Sequence, residues 1–322
     1  MKRRLCATLA ALLLLTLTAC TQTKIQKREA FHAAVNGVEL TEMPRRTVTM
    51  SRALTESVCA LGFAGRLVGV ADSANAPAYA EELPTVGAVL TPDTERLLAL
   101  APDLVLTPAA LPAETADALA ARGCAVVVLP YAATLNEAAE NWAAVCTLMM
   151  GDASGEKMAD QLERYVSGTL NAIGDGIAEE ESAVFLMRLP NVCATGDTWL
   201  DQVLIRIGLT NAAADGENWL YSPAEGEGCD ADIIFYEESI GADAVRASVW
   251  QNAAAVQNDR LIPIDGNLLE AQTPRSLLAI AEAVRQAYPD ADFPEAEIVL
   301  EQEPPEVSEP TALERFRQKL GI

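Results

Sequence analysis

The chain has 322 residues and half of them are apolar, which supports one large or two medium-sized folded domains and excludes disorder throughout. Its 46 acidic residues outnumber the 23 basic ones, and the formal net charge of −23 excludes nucleic acid as a partner, because phosphates are bound by Lys and Arg. The single histidine, His32, argues against a His-based metal site or acid–base centre.

The N-terminus has the pattern of a bacterial lipoprotein signal. A basic start at residues 2–4 precedes an apolar run at residues 9–17, and Leu17-Thr18-Ala19-Cys20 then resembles the bacterial lipobox. We predict a signal peptide over residues 1–19, an acylated (palmitate-type) Cys20 that anchors the protein to the extracytoplasmic face of the membrane, and a solvated tether over residues 20–45. The alternative is an ordinary secretory signal followed by a chance cysteine.

Strands and helices alternate from residue 46 onward, which predicts a first lobe over residues 46–152. Thr91-Pro92 has the pattern of a helix start, with Thr as N-cap and Pro in the first turn, and Thr134 with Glu137 matches a capping box. The predicted strands cover residues 47–50, 66–70, 104–106 and 125–129, and two further helices are predicted over 53–61 and 112–121.

A long helix without neighbouring strands is predicted over residues 153–176, followed by a second lobe over residues 177–289. The second lobe has predicted strands at residues 183–187, 232–236 and 261–264, and predicted helices at residues 199–207 and 274–287. Residues 290–322 are predicted to be an acidic, solvated tail. The predicted fold class is α/β, with two Rossmann-like lobes of mostly parallel sheet joined by one long helix.

The five cysteines that follow Cys20 indicate neither a disulfide framework nor a metal site. Five is an odd number, and no CxxC or Cys/His spacing occurs. We predict that most of them are buried small apolar side chains: Cys59, Cys124, Cys146, Cys193 and Cys229.

Several short motifs occur in a characteristic order. They are Ser51-Arg52-Ala53-Leu54-Thr55-Glu56, Arg66-Leu67-Val68-Gly69-Val70, Val86-Gly87 followed by Thr94 to Val105, Thr195-Gly196-Asp197-Thr198-Trp199-Leu200, and Thr273-Pro274-Arg275. Together these resemble the substrate-binding proteins of bacterial ABC importers, in the class whose lobes are joined by one long helix and which serves ferric siderophores, haem and vitamin B12. The resemblance covers residues 46–288, except that residues 222–230 are short and glycine-rich where the family usually has a helix.

The resemblance implies a ligand cleft between the lobes, lined by residues that follow strands. We predict eight ligand-binding residues: Ser51, Arg52, Asp72, Tyr79 and Tyr131 in the first lobe, and Arg188, Trp199 and Asn267 (in a loop over residues 267–270) in the second. In this arrangement Arg52 and Arg188 face each other and grip an anionic chelate through bidentate hydrogen bonds. The alternatives are surface salt bridges for the two arginines and a core position for Trp199.

The resemblance also implies that one exposed glutamate on each lobe docks on arginines of the permease. These residues are Glu95 in the first lobe, and Glu225 or Glu227 in the second. The alternative for Glu95 is a favourable charge at the start of its helix.

The predicted function is a monomeric solute-binding protein that captures an iron complex (siderophore or haem) or a corrinoid and delivers it to an ABC permease. It is predicted to have no intrinsic cofactor or metal and to be no enzyme, because the chain has no G-x-S-x-G motif, phosphate loop or metal-ligand cluster. The alternatives are a two-lobed α/β enzyme that uses carboxylates and a binding scaffold that has lost its ligand.

Overall fold

The structure, a computed structural model, describes residues 31–71, 80–177, 180–222 and 229–291. The predicted signal peptide and the tail beyond residue 291 lie outside the described residues. The same holds for five predicted functional residues: Cys20, Asp72, Tyr79, Glu225 and Glu227.

An antiparallel hairpin, β1 (Ala33–Val35) and β2 (Val38–Leu40), lies within the segment predicted to be a tether. Asn36 and Gly37 turn the chain with φ angles of 49° and 80°, the combination that a type I′ turn requires. Apolar side chains of the hairpin pack against the main core: Val35, Val38 and Leu40. The tether prediction is therefore wrong for this segment, because its apolar residues form a partly buried face on the core.

The first lobe is built on a parallel sheet. Its elements are β3 (Thr47–Thr49), α1 (Arg52–Ala60), a 3-10 turn (Ala64–Arg66), β4 (Leu67–Val70), β5 (Gly87–Ala88), β6 (Thr91–Pro92), α2 (Thr94–Ala99), β7 (Leu104–Thr107), α3 (Ala113–Ala120) and β8 (Ala125–Val128). Four strands form the sheet in the order β4-β3-β7-β8, all parallel. β3 and β7 are buried along their whole length, as central strands covered on both faces should be.

The helix predicted to open with Thr91 as N-cap and Pro92 in the first turn begins two residues later, at Thr94. Thr91 and Pro92 instead pair with Gly87–Ala88 as a short antiparallel hairpin. Asp93 caps α2, accepting a hydrogen bond from the Arg96 backbone N–H at 2.9 Å. Asp is a stronger N-cap than Thr, and proline is tolerated in an edge strand. The later start therefore places both Asp93 and Pro92 in positions that suit them.

Two long helices, α4 (Leu135–Met150) and α5 (Asp152–Gly176), pack side by side between the lobes. A Cβ atom at Gly155 would lie 2.4 Å from the Cα atom of Thr147, so this close approach requires glycine. α5 is the long connecting helix that the sequence predicts. Its buried side chains recur every three or four residues: Met158, Leu162, Val166, Leu170 and Ile173.

The second lobe is built on a mixed sheet. Its elements are β9 (Ser182–Arg188), β10 (Val192–Cys193), α6 (Trp199–Arg206), β11 (Thr210–Asn211), β12 (Ile233–Glu237), a 3-10 turn (Glu238–Ile240), α7 (Ala242–Arg246), α8 (Ala254–Gln257), β13 (Leu261–Ile264), α9 (Gly266–Ala271) and α10 (Pro274–Ala287). β9, β11, β12 and β13 are parallel, and β10 returns antiparallel along β9. The predicted fold class is confirmed.

One hydrophobic core extends through both lobes and the helices between them. It includes Leu54 of α1, Trp142 of α4, Leu170 of α5 and Phe185 of β9. Polar contacts also join the lobes: Arg275 Nη1 lies 3.3 Å from the buried Glu56 carboxylate, and Gln202 accepts a hydrogen bond from the Leu135 backbone N–H at 2.9 Å. The lobes are therefore fixed by packing as well as by the connecting helix.

The five cysteines in the described ranges are unpaired, and four of them are buried: Cys124, Cys146, Cys193 and Cys229. Burial raises the pKa of Cys124 and Cys146 to about 12, so both thiols stay protonated near neutral pH. The prediction that these residues act as small apolar side chains is confirmed.

Gln272 makes a polar bridge of two hydrogen bonds between the lobes. Its side chain donates from Nε2 to the Ala132 carbonyl at 2.7 Å and accepts from the Ala132 N–H at 2.8 Å. Gln272 has a φ of 54°, which asparagine also tolerates, and Asn is one methylene too short to make both bonds. We expect Gln272→Asn to lower the free energy of unfolding by about 1–3 kcal/mol in urea denaturation.

Gln257→Asn is the matched control, because Gln257 is exposed and donates only to the nearby Asn252 carbonyl. It should leave stability nearly unchanged. Equal stability of both variants would show that the Gln272 bridge contributes nothing.

His32 and Asp152 attach the N-terminal segment to the start of α5. His32 Nδ1 lies 2.5 Å from Asp152 Oδ2, and the Ala34 N–H donates to the other carboxylate oxygen at 3.0 Å. The hydrogen bond with Asp152 raises the pKa of His32 above 6.5, and the hydrogen bond from His32 lowers the pKa of Asp152 below 3.8. The pair therefore makes its full contribution to the stability of the folded state between pH 3.8 and 6.5, where His32 is protonated and Asp152 is ionised.

We expect the difference in melting temperature between wild type and His32→Gln to be largest in that window. It should shrink as pH rises through the raised His32 pKa and as pH falls through the lowered Asp152 pKa. Both side chains are about half exposed, so 1 M salt should weaken the effect. A difference that does not change with pH from 3 to 9 would contradict an ionic contribution.

Candidate functional site

A cleft of about 740 Å³ lies between the lobes. Its walls come from the start of α1, the loop after β8, the end of β9, the start of α6, the loop before residue 221 and the end of α9. The lining residues are Arg52, Ala53, Tyr131, Ala132, Ala133, Met187, Arg188, Val192, Asp197, Thr198, Trp199, Asn218, Trp219, Leu220, Glu270, Ala271 and Gln272. In open α/β sheets, ligands bind beyond the carboxyl ends of the strands, and this cleft has that position.

Arg52 is the first residue of α1 and lies in the wall of the first lobe. Its Nε atom is buried and has no hydrogen-bond partner among the described residues. Across the cleft, Arg188 ends β9, whose preceding five residues are buried, and is itself exposed. Neither arginine forms a salt bridge with an acidic residue in the described ranges, so both guanidinium groups are available to a ligand.

Tyr131 and Trp199 also line the cleft, in different environments. Tyr131 follows β8 and is 58% exposed. Trp199 is fully buried at the start of α6 and belongs to the shared core, although its indole Nε1 has no acceptor among the described residues. Trp199 therefore packs as a core residue beneath the cleft.

Two predicted ligand-binding residues are placed outside this cavity. Ser51 is buried and its hydroxyl caps α1, accepting from the Leu54 N–H at 3.2 Å. Asn267 belongs to helix α9 rather than to a loop, and Asp265 caps this helix by accepting from the Asn267 N–H at 2.9 Å. From that same helix, Glu270 reaches the cleft.

Sequence reasoning missed most of the second lobe's contribution to the cleft. The loop residues Asn218, Trp219 and Leu220 and the carboxylate of Asp197 all line it. Hydrogen bonds from the Thr195 hydroxyl and the Asn218 N–H lower the pKa of Asp197, so this carboxylate is ionised near neutral pH. The tight Asn218-Trp219 turn was not recognisable, because such turns usually carry glycine in the second position.

The predicted docking residue Glu95 is exposed in the first turn of α2 and does not line the cleft. Leu90, at the tip of the β5–β6 hairpin, is 78% exposed.

In the described ranges, no group of three or more His, Cys, Asp or Glu side chains is arranged to hold a metal ion. No helix of the described ranges is long and apolar enough to cross a membrane.

Known proteins resemble the chain in sequence and fold. The sequence profile of the periplasmic binding protein family matches residues 48–268. The uncharacterized ABC transporter substrate-binding lipoprotein YvrC of Bacillus subtilis is 28% identical, over 82% of this chain and 88% of the relative. The vitamin B12-binding protein of Vibrio cholerae is 26% identical, over 74% of this chain and 87% of the relative.

A solved structure agrees with these matches. The periplasmic heme-binding protein RhuT from Roseiflexus sp. RS-1, in apo form, superposes with a TM-score of 0.60 at 25% identity, covering 76% of this chain and 98% of that protein. The resemblance drawn from the sequence motifs is confirmed. Because these relatives are binding proteins, the prediction that the chain is not an enzyme is also confirmed.

Proposed function

The chain belongs to the periplasmic binding protein family, and on that basis we propose that it is a lipid-anchored solute-binding protein that captures an iron complex or a corrinoid for an ABC-type permease. The names of its relatives support this ligand class, since one binds vitamin B12 and another binds haem. The lipoprotein name of the Bacillus subtilis relative supports acylation at Cys20.

The observation that carries the proposal is the pair of arginines on opposite walls of the cleft. Arg52 starts a helix, where the helix dipole disfavours a cation, and no described carboxylate neutralises it. An anionic ligand would satisfy the guanidinium groups of Arg52 and Arg188 together through charge-assisted hydrogen bonds. Both arginines therefore fit the recognition of a metal complex that bears carboxylates or another anionic edge.

The test is titration of the purified protein with haemin, cyanocobalamin and a ferric hydroxamate siderophore. We expect one of these probes to bind, and native mass spectrometry should show a one-to-one complex with monomeric protein. Failure of all three would contradict the proposed ligand class and favour a scaffold that has lost its ligand.

We expect Arg52→Ala and Arg188→Ala each to weaken binding of an anionic probe about tenfold or more. Each variant removes a charge-assisted hydrogen bond worth about 1.5–3 kcal/mol. The loss should be larger for haemin, which has two carboxylates, than for cyanocobalamin. Isothermal titration calorimetry measures these affinities directly.

Arg122→Ala is the matched control, because Arg122 is exposed and does not line the cleft. Its affinity should equal that of wild type. Unchanged binding in both cleft variants would show that the arginines are surface groups and would point to a neutral or cationic ligand.

We also propose that Glu95 docks on the permease, with Glu225 or Glu227 as its counterpart on the second lobe. Glu95 suits this role because it is exposed and separate from the cleft. An exposed carboxylate contributes little to folding. Charge reversal at Glu95 would place a lysine against basic residues of the permease and oppose complex formation.

We expect Glu95→Lys to block cellular uptake of the probe that the purified protein binds, while the affinity of the purified variant stays at the wild-type value. Glu163→Lys makes the same charge change on an exposed position of α5 and should leave uptake intact. Full uptake with Glu95→Lys would exclude this residue from docking, and lost ligand affinity would instead place it in the binding site.

A further inference from the structure

The loop that closes the second-lobe side of the cleft contains a tight turn with an unusual residue. Glu217 and Leu220 exchange two backbone hydrogen bonds, of 3.2 and 2.9 Å. Between them, Asn218 has a φ of 53° and Trp219 a φ of 66°, as in a type I′ turn. Asparagine tolerates such angles, but a bulky side chain rarely adopts them and the second position usually holds glycine. The turn therefore holds Trp219 in a conformation that its own side chain disfavours.

Asp197 holds this turn in place. One of its carboxylate oxygens accepts from the Asn218 N–H at 2.9 Å, and the other accepts from the Thr195 hydroxyl at 2.5 Å. The Thr195 hydroxyl oxygen in turn accepts from the Trp219 N–H at 3.1 Å. The backbone N–H groups of both turn residues are thus hydrogen-bonded to the Asp197 and Thr195 side chains.

Glycines let the two segments approach closely enough for these bonds. A Cβ atom at Gly216 would lie 2.4 Å from Thr195 Cγ2, and one at Gly196 would lie 2.4 Å from the Ala214 carbonyl oxygen. No other residue type fits at either position without a shift of the chain. The strained turn is therefore imposed by its surroundings, which is the arrangement expected where strain serves a function.

The turn presents apolar surface to the cleft. Trp219 and Leu220 both line it, and Leu220 is 57% exposed although it is apolar. Tyr131, from the first lobe, lines the same cavity with a similar exposed fraction. Trp219 is partly exposed, whereas the other three tryptophans are fully buried: Trp142, Trp199 and Trp250.

We propose that Asp197 is a positioning residue that holds the Asn218-Trp219 turn so that the Trp219 indole forms a fixed wall against a flat, apolar face of the bound ligand. The inference rests on the proposed function, because it assumes that the cleft holds a ligand. In this arrangement the arginines bind the anionic edge of the ligand, and Trp219 contacts its apolar face.

The experiment compares Trp219→Gly, Trp219→Ala and Trp219→Phe in the purified full chain, with haemin and cyanocobalamin as probes. We expect Trp219→Gly to melt at a higher temperature than Trp219→Ala, because glycine accepts a positive φ and alanine does not. Both variants should bind the probes about tenfold or more weakly, while Trp219→Phe keeps a ring and most of the affinity.

Asp197→Asn tests the positioning role. It removes no ring, yet it should weaken probe binding severalfold. In the protein without probe, acrylamide should quench the tryptophan fluorescence more readily than in the wild type, because the loosened turn no longer protects the Trp219 indole. Asp230→Asn is the matched control: Asp230 also accepts a backbone N–H, from Ala254 at 2.8 Å, but lies outside the cleft lining. It should change neither affinity nor protection.

Three outcomes would overturn the inference. Wild-type affinity in Trp219→Ala would show that the ring makes no contact with the ligand. A lower melting temperature for Trp219→Gly than for Trp219→Ala would show that the turn does not hold a strained residue. A wild-type protein that binds neither probe, nor the ferric siderophore, would overturn the proposed function itself and this inference with it.

Discussion

The two lobes share one hydrophobic core, and the separation of the cleft walls depends on that constraint. The core runs from α1 of the first lobe, through α4 and α5, to the central strand β9 of the second. Gln272 adds a two-bond bridge at the cleft itself. Wide opening would expose apolar side chains that are now buried, at about 25 cal/mol for each Å². We therefore expect the walls of the cleft to stay close to their present separation when a ligand enters.

Two arginine side chains line this cleft, although the chain as a whole is strongly acidic. Most basic residues with a described partner are paired with a carboxylate or with backbone carbonyls, as Arg260 is with Glu181 and Arg46 with the Leu100 carbonyl. Arg52 and Arg188 lack such an acidic partner among the described residues. In a protein with twice as many acids as bases, unpaired arginines on facing walls support the proposal that the cleft binds an anionic ligand.

The sequence predicts the two-lobed fold well, because buried parallel strands and long helices leave strong local patterns. The apolar runs of β7 and β8 and the periodic buried face of α5 each lie within a residue or two of the observed bounds. The N-terminal hairpin was missed although Asn36-Gly37 is a strong turn signal, since its strands are only three residues long. Thr91-Pro92 predicts a helix start but forms an edge strand, because the same dipeptide suits both.

The site was predicted less completely than the fold, for a physical reason. Arg52 starts a helix, Tyr131 follows a strand and Arg188 ends one, so their position at the cleft edge follows from topology, as does that of the buried Trp199 beneath it. Trp219 reaches the cleft only because two glycines and the Asp197–Thr195 pair impose a backbone conformation that its own residue type disfavours. The local preference of a tryptophan disfavours such a turn, and contacts with residues distant in sequence determine its conformation.

A cleft whose walls are already ordered before the ligand binds favours high affinity. Binding loses less conformational entropy when the protein groups that contact the ligand are already ordered. The shared core fixes the separation of the walls, the Asp197 hydrogen bonds order the turn, and Gln272 orders the end of α9. For the proposed ligand, selectivity would then come from fit to a preformed shape, with the two arginines at one edge and aromatic surface on a face, rather than from closure of the lobes. A rigid scaffold of this kind suits a ligand that is itself rigid, such as a metal chelate, whose shape does not adapt to the protein.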